Sequence, residues 1–469
     1  VGKPENIGAL RHEKRGRRKA PRSSHSAIGN VHRDPVELLQ VSSAGRVERL
    51  IPLRYGRMIA SPFAFYRGSA IVQAHDLAGT PHSGLTFQIC GDCHLANFGA
   101  FATPERALIF DLNDFDETSP GPWEWDLKRL CASFVVAARH LNHRRGTGEE
   151  LVRRIVRGYQ DRMAEFAGMS LIETWYERIT FDRLMAIAKD PESQRRLQRG
   201  LERAVTRTSA VLLPRLSDKV DGRWVLRDAP PAIFHIAGKN TLFGPEDDWL
   251  KMNDLQAAFA KSFKDYLDTL AADRRRLLSH FTPHDMAFKV VGVGSVGTRC
   301  LVRLLIDRHG KPLFLQSKEA SKSVVARFFK SPAVAHEGRR VVEGQRLMQA
   351  ASDPFLGWTR GPSGRPFYIR QLRDMKLSAE YELMSTDTFA NYAALCGWAL
   401  ARGHAKAGGL AKEISEYIGT SDRLADALVK YSEAYADQVE RDYERFVQAC
   451  RSGRLEARTD TDMAADFRV

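Results

Sequence analysis

Between Ile89 and Asp114 the chain reads Ile89-Cys90-Gly91-Asp92-Cys93-His94-Leu95-Ala96-Asn97-Phe98-Gly99, then a short turn, then Leu108-Ile109-Phe110-Asp111-Leu112-Asn113-Asp114. An Asp followed five residues later by an Asn, with a hairpin and an apolar strand running into acidic residues, suits phosphoryl transfer. In such a site the first Asp orients the attacking hydroxyl, and the Asn and a later Asp hold Mg²⁺ against the phosphate charge. Asp92 is the candidate catalytic residue. Asn97, Asp111, Asp114 and Asp116 are the candidate metal ligands, and spacing alone does not choose among the three acids. Clustered carboxylates repel by roughly 1 kcal/mol or more per pair unless a cation intervenes. A polar turn with capping aspartates is the simpler alternative.

A second constellation lies 200 residues later. Gly292-Val293-Gly294-Ser295-Val296-Gly297 is a G-x-G-x-x-G run. A dinucleotide fold would need a helix after the third glycine, whereas Thr298-Arg299-Cys300-Leu301-Val302 favours a strand. The run therefore suits a Gly-rich hairpin whose N–H groups cover phosphates, with Gly292, Gly294 and Gly297 permitting close approach. Lys318 ends the next strand, Phe314-Leu315-Gln316-Ser317-Lys318, where a kinase keeps the Lys that grips the α- and β-phosphates. Its ion-pair partner should be a Glu on the following helix. Glu337 and Glu343 both qualify, and Glu343 is preferred.

The same loop supports rival readings. Cys90-Gly91-Asp92-Cys93-His94 fits the C-x-x-C-H pattern of covalent haem attachment, and Cys90, Cys93 and His94 could offer zinc ligands without a well-placed second pair. Arg54, Arg57 and Arg67 precede the loop. Arg67 and His94 are candidate contacts to substrate or phosphate, although pairing of these arginines with Glu124 or Asp126 is an equal expectation. His404, Trp123 and Trp125 are expected in the core.

The elements that must position these groups follow from punctuation and periodicity. Ser61-Pro62 caps a helix over 63–78, and residues 85–89 form a strand feeding the loop. Thr103-Pro104-Glu105-Arg106 turns a hairpin, and helices follow from Trp123 and over 149–169. Strands are expected over 288–292, 298–306 and 313–317, with Asp307-Arg308-His309-Gly310-Lys311-Pro312 joining the last two. A helix over 335–351, strands near 355–358 and 366–372, and a long amphipathic helix over 421–450 complete the pattern. Helices, a β-rich block and helices again make an α+β chain. Its expected parts are a basic arm over 1–30, a helical lobe over 31–285, a β-rich nucleotide lobe over 286–375 and a helical return over 376–469.

Charge and cysteine usage narrow the class. The 469 residues carry 71 Lys/Arg against 57 Asp/Glu, a net +14, and no run of 18 apolar residues. Residues 1–22 hold eight Lys/Arg against two Glu, a net +6. Such an arm could hold nucleic acid, but a solvated arm is the simpler expectation. The remaining excess suits an anionic ligand such as a nucleotide. Six cysteines in so long a chain form no disulfide framework, so a reduced, cytoplasmic protein is expected.

The Gly91-Asp92-x-x-x-x-Asn97 loop resembles the His-Gly-Asp-x-x-x-x-Asn loop of aminoglycoside phosphotransferases and related small-molecule kinases. Cys90 stands where that loop has His. Asp114-Phe115-Asp116 resembles their metal-binding segment, with Asp116 where protein kinases have Gly. Asp126 resembles their later structural Asp.

Arg54-Tyr55-Gly56-Arg57-Met58, the Ser61–Gly68 run, Gly91–Gly99, Asp111–Glu117, Gly344–Gln349 and Tyr435–Gln438 resemble the uncharacterised bacterial family of domain of unknown function 2252. That family carries no assigned activity, so the kinase-like motifs must supply one. They imply ATP and Mg²⁺ as cofactors and a hydroxyl acceptor. Transfer of AMP instead, or nucleotide or nucleic-acid binding without catalysis, stays open. Because Asp92 and Asp114 precede Gly292 and Lys318, the resemblance implies a circularly permuted protein-kinase-like fold: a mostly helical lobe plus a smaller antiparallel β-lobe.

Overall fold

Helix starts in the first segment follow from side-chain caps. In this computed structural model, which describes residues 20–188, 191–206, 208–372 and 375–466, the Asp34 carboxylate accepts the Val36 N–H at 2.8 Å. Pro35 takes the first position of helix α1 (Pro35–Ser43). Helix α2 (Ile51–Met58) follows, and then α3 (Pro62–Gly68), capped by Ser61 Oγ on the Ala64 N–H at 3.0 Å. The single helix expected over 63–78 breaks at Ser69, whose ψ of 36° is not helical, and restarts as α4 (Ala70–Leu77).

Strand β1 (Thr86–Ile89) leads into the Asp92 loop. Strands β2 (Phe98–Ala102) and β3 (Leu108–Leu112) form the expected antiparallel hairpin, with Arg106 at φ 69° in the turn. Strand β4 (Ser119–Pro122) returns to pair with β1 and runs straight into helix α5 (Trp123–His140). Residues 123–138 of α5 are buried on every face, as suits a helix through the centre of a core. Four of them (Glu124, Asp126, Lys128 and Arg129) are charged, and each must find partners inside. Helix α6 (Thr147–Ala167) packs beside it.

The β-rich part begins earlier than the expected residue 286. Strand β5 (Ile233–Phe234) and helix α7 (Leu255–Leu267) belong to it, and β6 spans Phe281–Lys289. Its first half escaped the hydrophobic pattern because residues 282–283 are exposed and the register shifts between Pro283 and Asp285. Strands β7 (Cys300–Asp307), β8 (Pro312–Glu319), β9 (Gly357–Arg360) and β10 (Pro366–Gln371) complete a six-stranded antiparallel sheet ordered β9-β10-β8-β7-β6-β5. Helix α8 (Glu337–Met348) lies in sequence between β8 and β9.

Beyond the sheet, β11 (Leu377–Ser378) adds to the edge of β2. Helices α9 (Thr386–Gly408), α10 (Ala411–Ile418) and α11 (Arg423–Arg451) close the helical core. The α6–α9 crossing is close because of glycine: a Cβ on Gly158 would lie 2.6 Å from Ala394 O, and one on Gly397 2.3 Å from Ile155 O. The chain is thus mixed α and β with antiparallel sheets. Among the described residues, no helix is long and apolar enough to cross a membrane.

Residues 1–19 of the expected basic arm lie outside the described residues. Residues 20–30 are not a loose arm. His25 is buried against the Tyr417 hydroxyl at 2.6 Å, and that hydroxyl donates to Ala20 O at 2.7 Å.

Candidate active site

The loop between β1 and β2 is shaped from beneath by Asp126 in the first turn of α5. Its two carboxylate oxygens accept the N–H groups of Cys90 and Gly91, each at 2.8 Å. His404 Nε2 lies 3.2 Å from the same carboxylate, with Tyr159 on its other ring nitrogen at 2.9 Å. Gly91 has φ +80°, and a Cβ there would meet Glu117 O at 2.3 Å, so only glycine fits this turn. The result lifts Asp92 into a cleft. Asn97 closes the loop, its amide donating to Asp92 O at 2.9 Å.

Asp92 itself is ion-paired with Arg129, one turn along α5 from Asp126. Burial pushes the Asp92 carboxyl up from its ordinary range, and Arg129 works against that rise. The Arg129 guanidinium also donates to Gln73 Oε1 at 2.7 Å and Tyr66 O at 3.0 Å, which fixes its plane. His94 Nε2 stands 4.0 Å from Asp92. Burial, with Arg67 and Arg129 nearby, holds His94 well below its ordinary range, so its ring is neutral at pH 7.

The three acids, Asp111 within β3 and Asp114 and Asp116 just after it, diverge. Asp111 is completely buried, paired with Arg402 at 2.7 Å and accepting the Ala350 N–H at 2.8 Å, and it does not line the cleft. Asp114 lines the cleft and accepts the Asp116 N–H at 3.1 Å. Asp116 turns toward the sheet, where it pairs with Lys318 and accepts the Tyr368 hydroxyl at 2.7 Å. Asp114 and Asn97 both line the cleft, and carboxylate and amide oxygens are the ligand types that a hard cation takes.

Strand alternation aims the sheet's contribution. Lys318 sits directly across from Tyr368, and Gln316 across from Arg370, so these four side chains share one face. Arg370 donates to Gln316 Oε1 at 3.2 Å. Burial opposes the Lys318 charge, but Asp116, with Asp114 further off, holds the ammonium above its ordinary range; Asp116 is correspondingly held low.

Helix α8 does not supply the expected acid. Glu343 is exposed and pairs with Arg339 at 2.7 Å, while Glu337 pairs with Arg340. Two residues on, Gln345 faces the cleft, because 3.6 residues per turn set positions 343 and 345 on opposite sides. Gly344 lets the helix approach Thr118, where a Cβ would lie 2.4 Å from the threonine methyl. Arg340 donates to Asp116 O at 2.9 Å and Ser321 O at 2.8 Å, tying α8 to the acidic segment.

The connection between β6 and β7 forms the roof. Gly292, Gly294 and Ser295 line the cleft, with a single 3₁₀ turn over Val293–Ser295. Gly297, at φ +84°, does not line the cleft but packs against Arg46, and its carbonyl accepts the Val47 N–H at 2.8 Å. Asp92, Asn97, Asp114, Asp116 and Lys318 therefore border one cleft of about 1110 Å³.

A family model described as an uncharacterized protein conserved in bacteria (DUF2252) matches residues 46–449. The chain belongs to this family. No curated protein and no solved structure matches it. The matched span holds both halves of the cleft, from Arg46 through Arg370.

Cys90, Cys93 and Asp126 bring their ligand atoms within 4.8 Å of one another, all buried. Both Asp126 oxygens already serve the loop, and burial pushes the Cys93 thiol up to about 11 and Cys90 well above its ordinary value. Without a metal both thiols stay protonated at pH 7 and pack under the loop. His94 turns away from them to the cleft. Arg129, Tyr368, Arg370 and Arg46 were missed by sequence reasoning. Arg129 could have been found three residues after Asp126 on the same helix, but the other three carry no local signal.

Proposed function

We propose that the chain is an ATP- and Mg²⁺-dependent phosphotransferase acting on a hydroxyl acceptor. The observation that carries this reading is the convergence of two segments 200 residues apart on one cleft: Asp92, Asn97 and Asp114 from one, Lys318 and the Gly292–Ser295 turn from the other. In this reading Asp92 orients the acceptor hydroxyl, Asn97 and Asp114 hold Mg²⁺, Lys318 grips the phosphates and the glycine turn covers them. Asp116 takes the place expected for Glu343: it is the acid that positions Lys318. The neutral His94 ring beside Asp92 offers the acceptor a hydrogen-bonding edge.

A permuted kinase-like fold is supported by the order hairpin, lysine strand, helix, two strands within the six-stranded sheet, with the Asp92 loop preceding it in the chain. Asp126 beneath the loop supports the same resemblance. Transfer of AMP by a reversed nucleotide is the second reading, favoured by Arg46 and Arg67, which line the cleft beside the glycine turn.

Incubation with γ- and α-labelled ATP tests both. Transfer of the γ label to an acceptor supports the first reading and of the α label the second, whereas transfer of neither sinks both. Asp92→Asn should lower turnover by about 10²–10⁴-fold, the range typical for a group that handles the reacting proton, while Mg²⁺-ATP still stabilises the fold.

A further inference from the structure

Three arginines crowd one corner of the cleft where the helices over 35–68 meet the glycine turn. Arg46 lies just after α1, Arg54 in α2 and Arg67 in α3, and all three line the cleft. Asp92 is taken by Arg129 and Asp116 by Lys318, while Glu117, the acid that attracts Arg46 most, accepts the Val324 N–H at 2.6 Å. Arg54 is 1% exposed and bonds only neutral oxygens: Ser43 Oγ, Ser42 Oγ at 2.8 Å, Gly68 O at 2.9 Å and Leu39 O at 3.2 Å. Arg46 donates to Ser42 O at 2.9 Å and Val296 O at 2.5 Å. Arg67 makes no ion pair among the described residues, and its Nε, like that of Arg54, is buried without a hydrogen-bond partner.

Burying cations without a counter-charge is costly, and burying several together costs more. Burial pushes both Arg46 and Arg54 below their ordinary range; Glu117, Asp116 and Glu319 work against that fall at Arg46, whereas Arg46 adds repulsion to Arg54. Such a corner attracts an entering anion. Planar, forked guanidinium groups match the oxygens of a phosphate better than those of a single-point acceptor.

We propose that Arg46, Arg54 and Arg67 form a phosphate-binding subsite beside the glycine turn, distinct from the phosphate grip of Lys318. Two sources share this chemistry: a phosphate carried by the acceptor, or the terminal phosphate of a nucleotide bound in the reverse sense. The choice of source rests on the phosphotransferase reading; the subsite itself is tested apart from it.

The test is thermal unfolding of the full chain with inorganic phosphate, against sodium chloride at equal ionic strength, with and without saturating Mg²⁺-ATP. Phosphate should raise the melting temperature of the wild type beyond the chloride control. Arg67→Met should weaken apparent phosphate affinity by about tenfold or more. Arg46→Met serves as the second variant, because Arg54 is too deeply built into the fold to remove safely. A phosphate shift that adds to the ATP shift assigns the subsite to the acceptor, and a shift abolished by ATP assigns it to the nucleotide. No shift above chloride, or an undiminished shift in both Arg67→Met and Arg46→Met, overturns the proposal. A phosphate shift in a protein that ATP does not stabilise keeps the subsite and removes the nucleotide reading.

Discussion

Lys318 forms an ion pair with Asp116 across 202 residues of chain, and Tyr368, its cross-strand neighbour, donates to the same carboxylate. This triad joins the sheet to the acidic segment after β3 and sets the direction in which the ammonium points. Lys318 is almost completely buried, so its charge depends chiefly on this acid, with Asp114 adding to it.

Replacing Asp116 by Asn should therefore destabilise the protein by roughly 3 kcal/mol, the cost of leaving a buried ammonium unpaired. Adding Lys318→Met to that variant should restore much of the loss. Urea denaturation of the two single variants and the double variant measures the coupling. A value near zero would mean that the pair contributes only geometry.

Asp111 and Asp114 should respond oppositely to substitution. Asp111→Asn breaks a buried pair with Arg402 and should cost roughly 3–5 kcal/mol without touching the cleft. Asp114→Asn should leave stability nearly unchanged but remove the part of ATP stabilisation that EDTA removes from the wild type. Thermal unfolding with ATP, with and without Mg²⁺, separates the two. Equal loss of the Mg²⁺ increment in both variants would count against Asp114 as the ligand.

Asp126→Asn should loosen the Asp92 loop. An Asn amide in that place presents a donor toward one of the two N–H groups, Cys90 or Gly91, now accepted at 2.8 Å. A buried N–H left unpaired costs about 1–3 kcal/mol. Amide hydrogen exchange should show lost protection at Cys90 and Gly91 before any change in the sheet. Unchanged protection at both would show that the loop holds its shape without Asp126.

Lys128 gives the fold a pH dependence. Its ammonium is enclosed on α5, 3.3 Å from Ala27 O and 4.7 Å from the Tyr431 ring centre, and burial lowers its pKa to about 7 despite the attraction of Glu124. The unfolded chain holds this proton up to about 10.4. Between those values the unfolded state binds more protons, so stability rises with pH through this window. Below pH 7 both states are charged and the folded state bears the full burial cost. Lys128→Met should stabilise the protein most below pH 7, on the order of 4 kcal/mol, with the advantage shrinking toward pH 10. Denaturation midpoints from pH 6 to 10 test this, and a constant offset between variant and wild type would contradict it.

The local layout of the site was legible in the sequence because it rests on short-range chemistry. Gly91 before Asp92, Asn97 five residues on, the Thr103–Arg106 turn and the Ser61 cap are dictated by backbone sterics and hydrogen bonds within a few residues, and the chain shows them directly. The Gly292–Gly297 run and the strand of Lys318 were readable for the same reason, as was the β-rich character of the block after Phe288.

Which carboxylate meets which cation was not legible. Asp111, Asp114 and Asp116 look alike in sequence, yet one is drawn to Arg402 of α9, one is left facing the cleft and one is taken by Lys318. The preference for Glu343 as the partner of Lys318 failed because helix rotation, fixed by the close approach of Gly344 to Thr118, turns Gln345 inward. Arg129 and Tyr368 reach Asp92 and Asp116, and Arg46 reaches the cleft, only because α5, β10 and the end of α1 converge there. Ion pairs fall off with distance and burial, and both quantities are set by packing between segments that the linear chain keeps hundreds of residues apart.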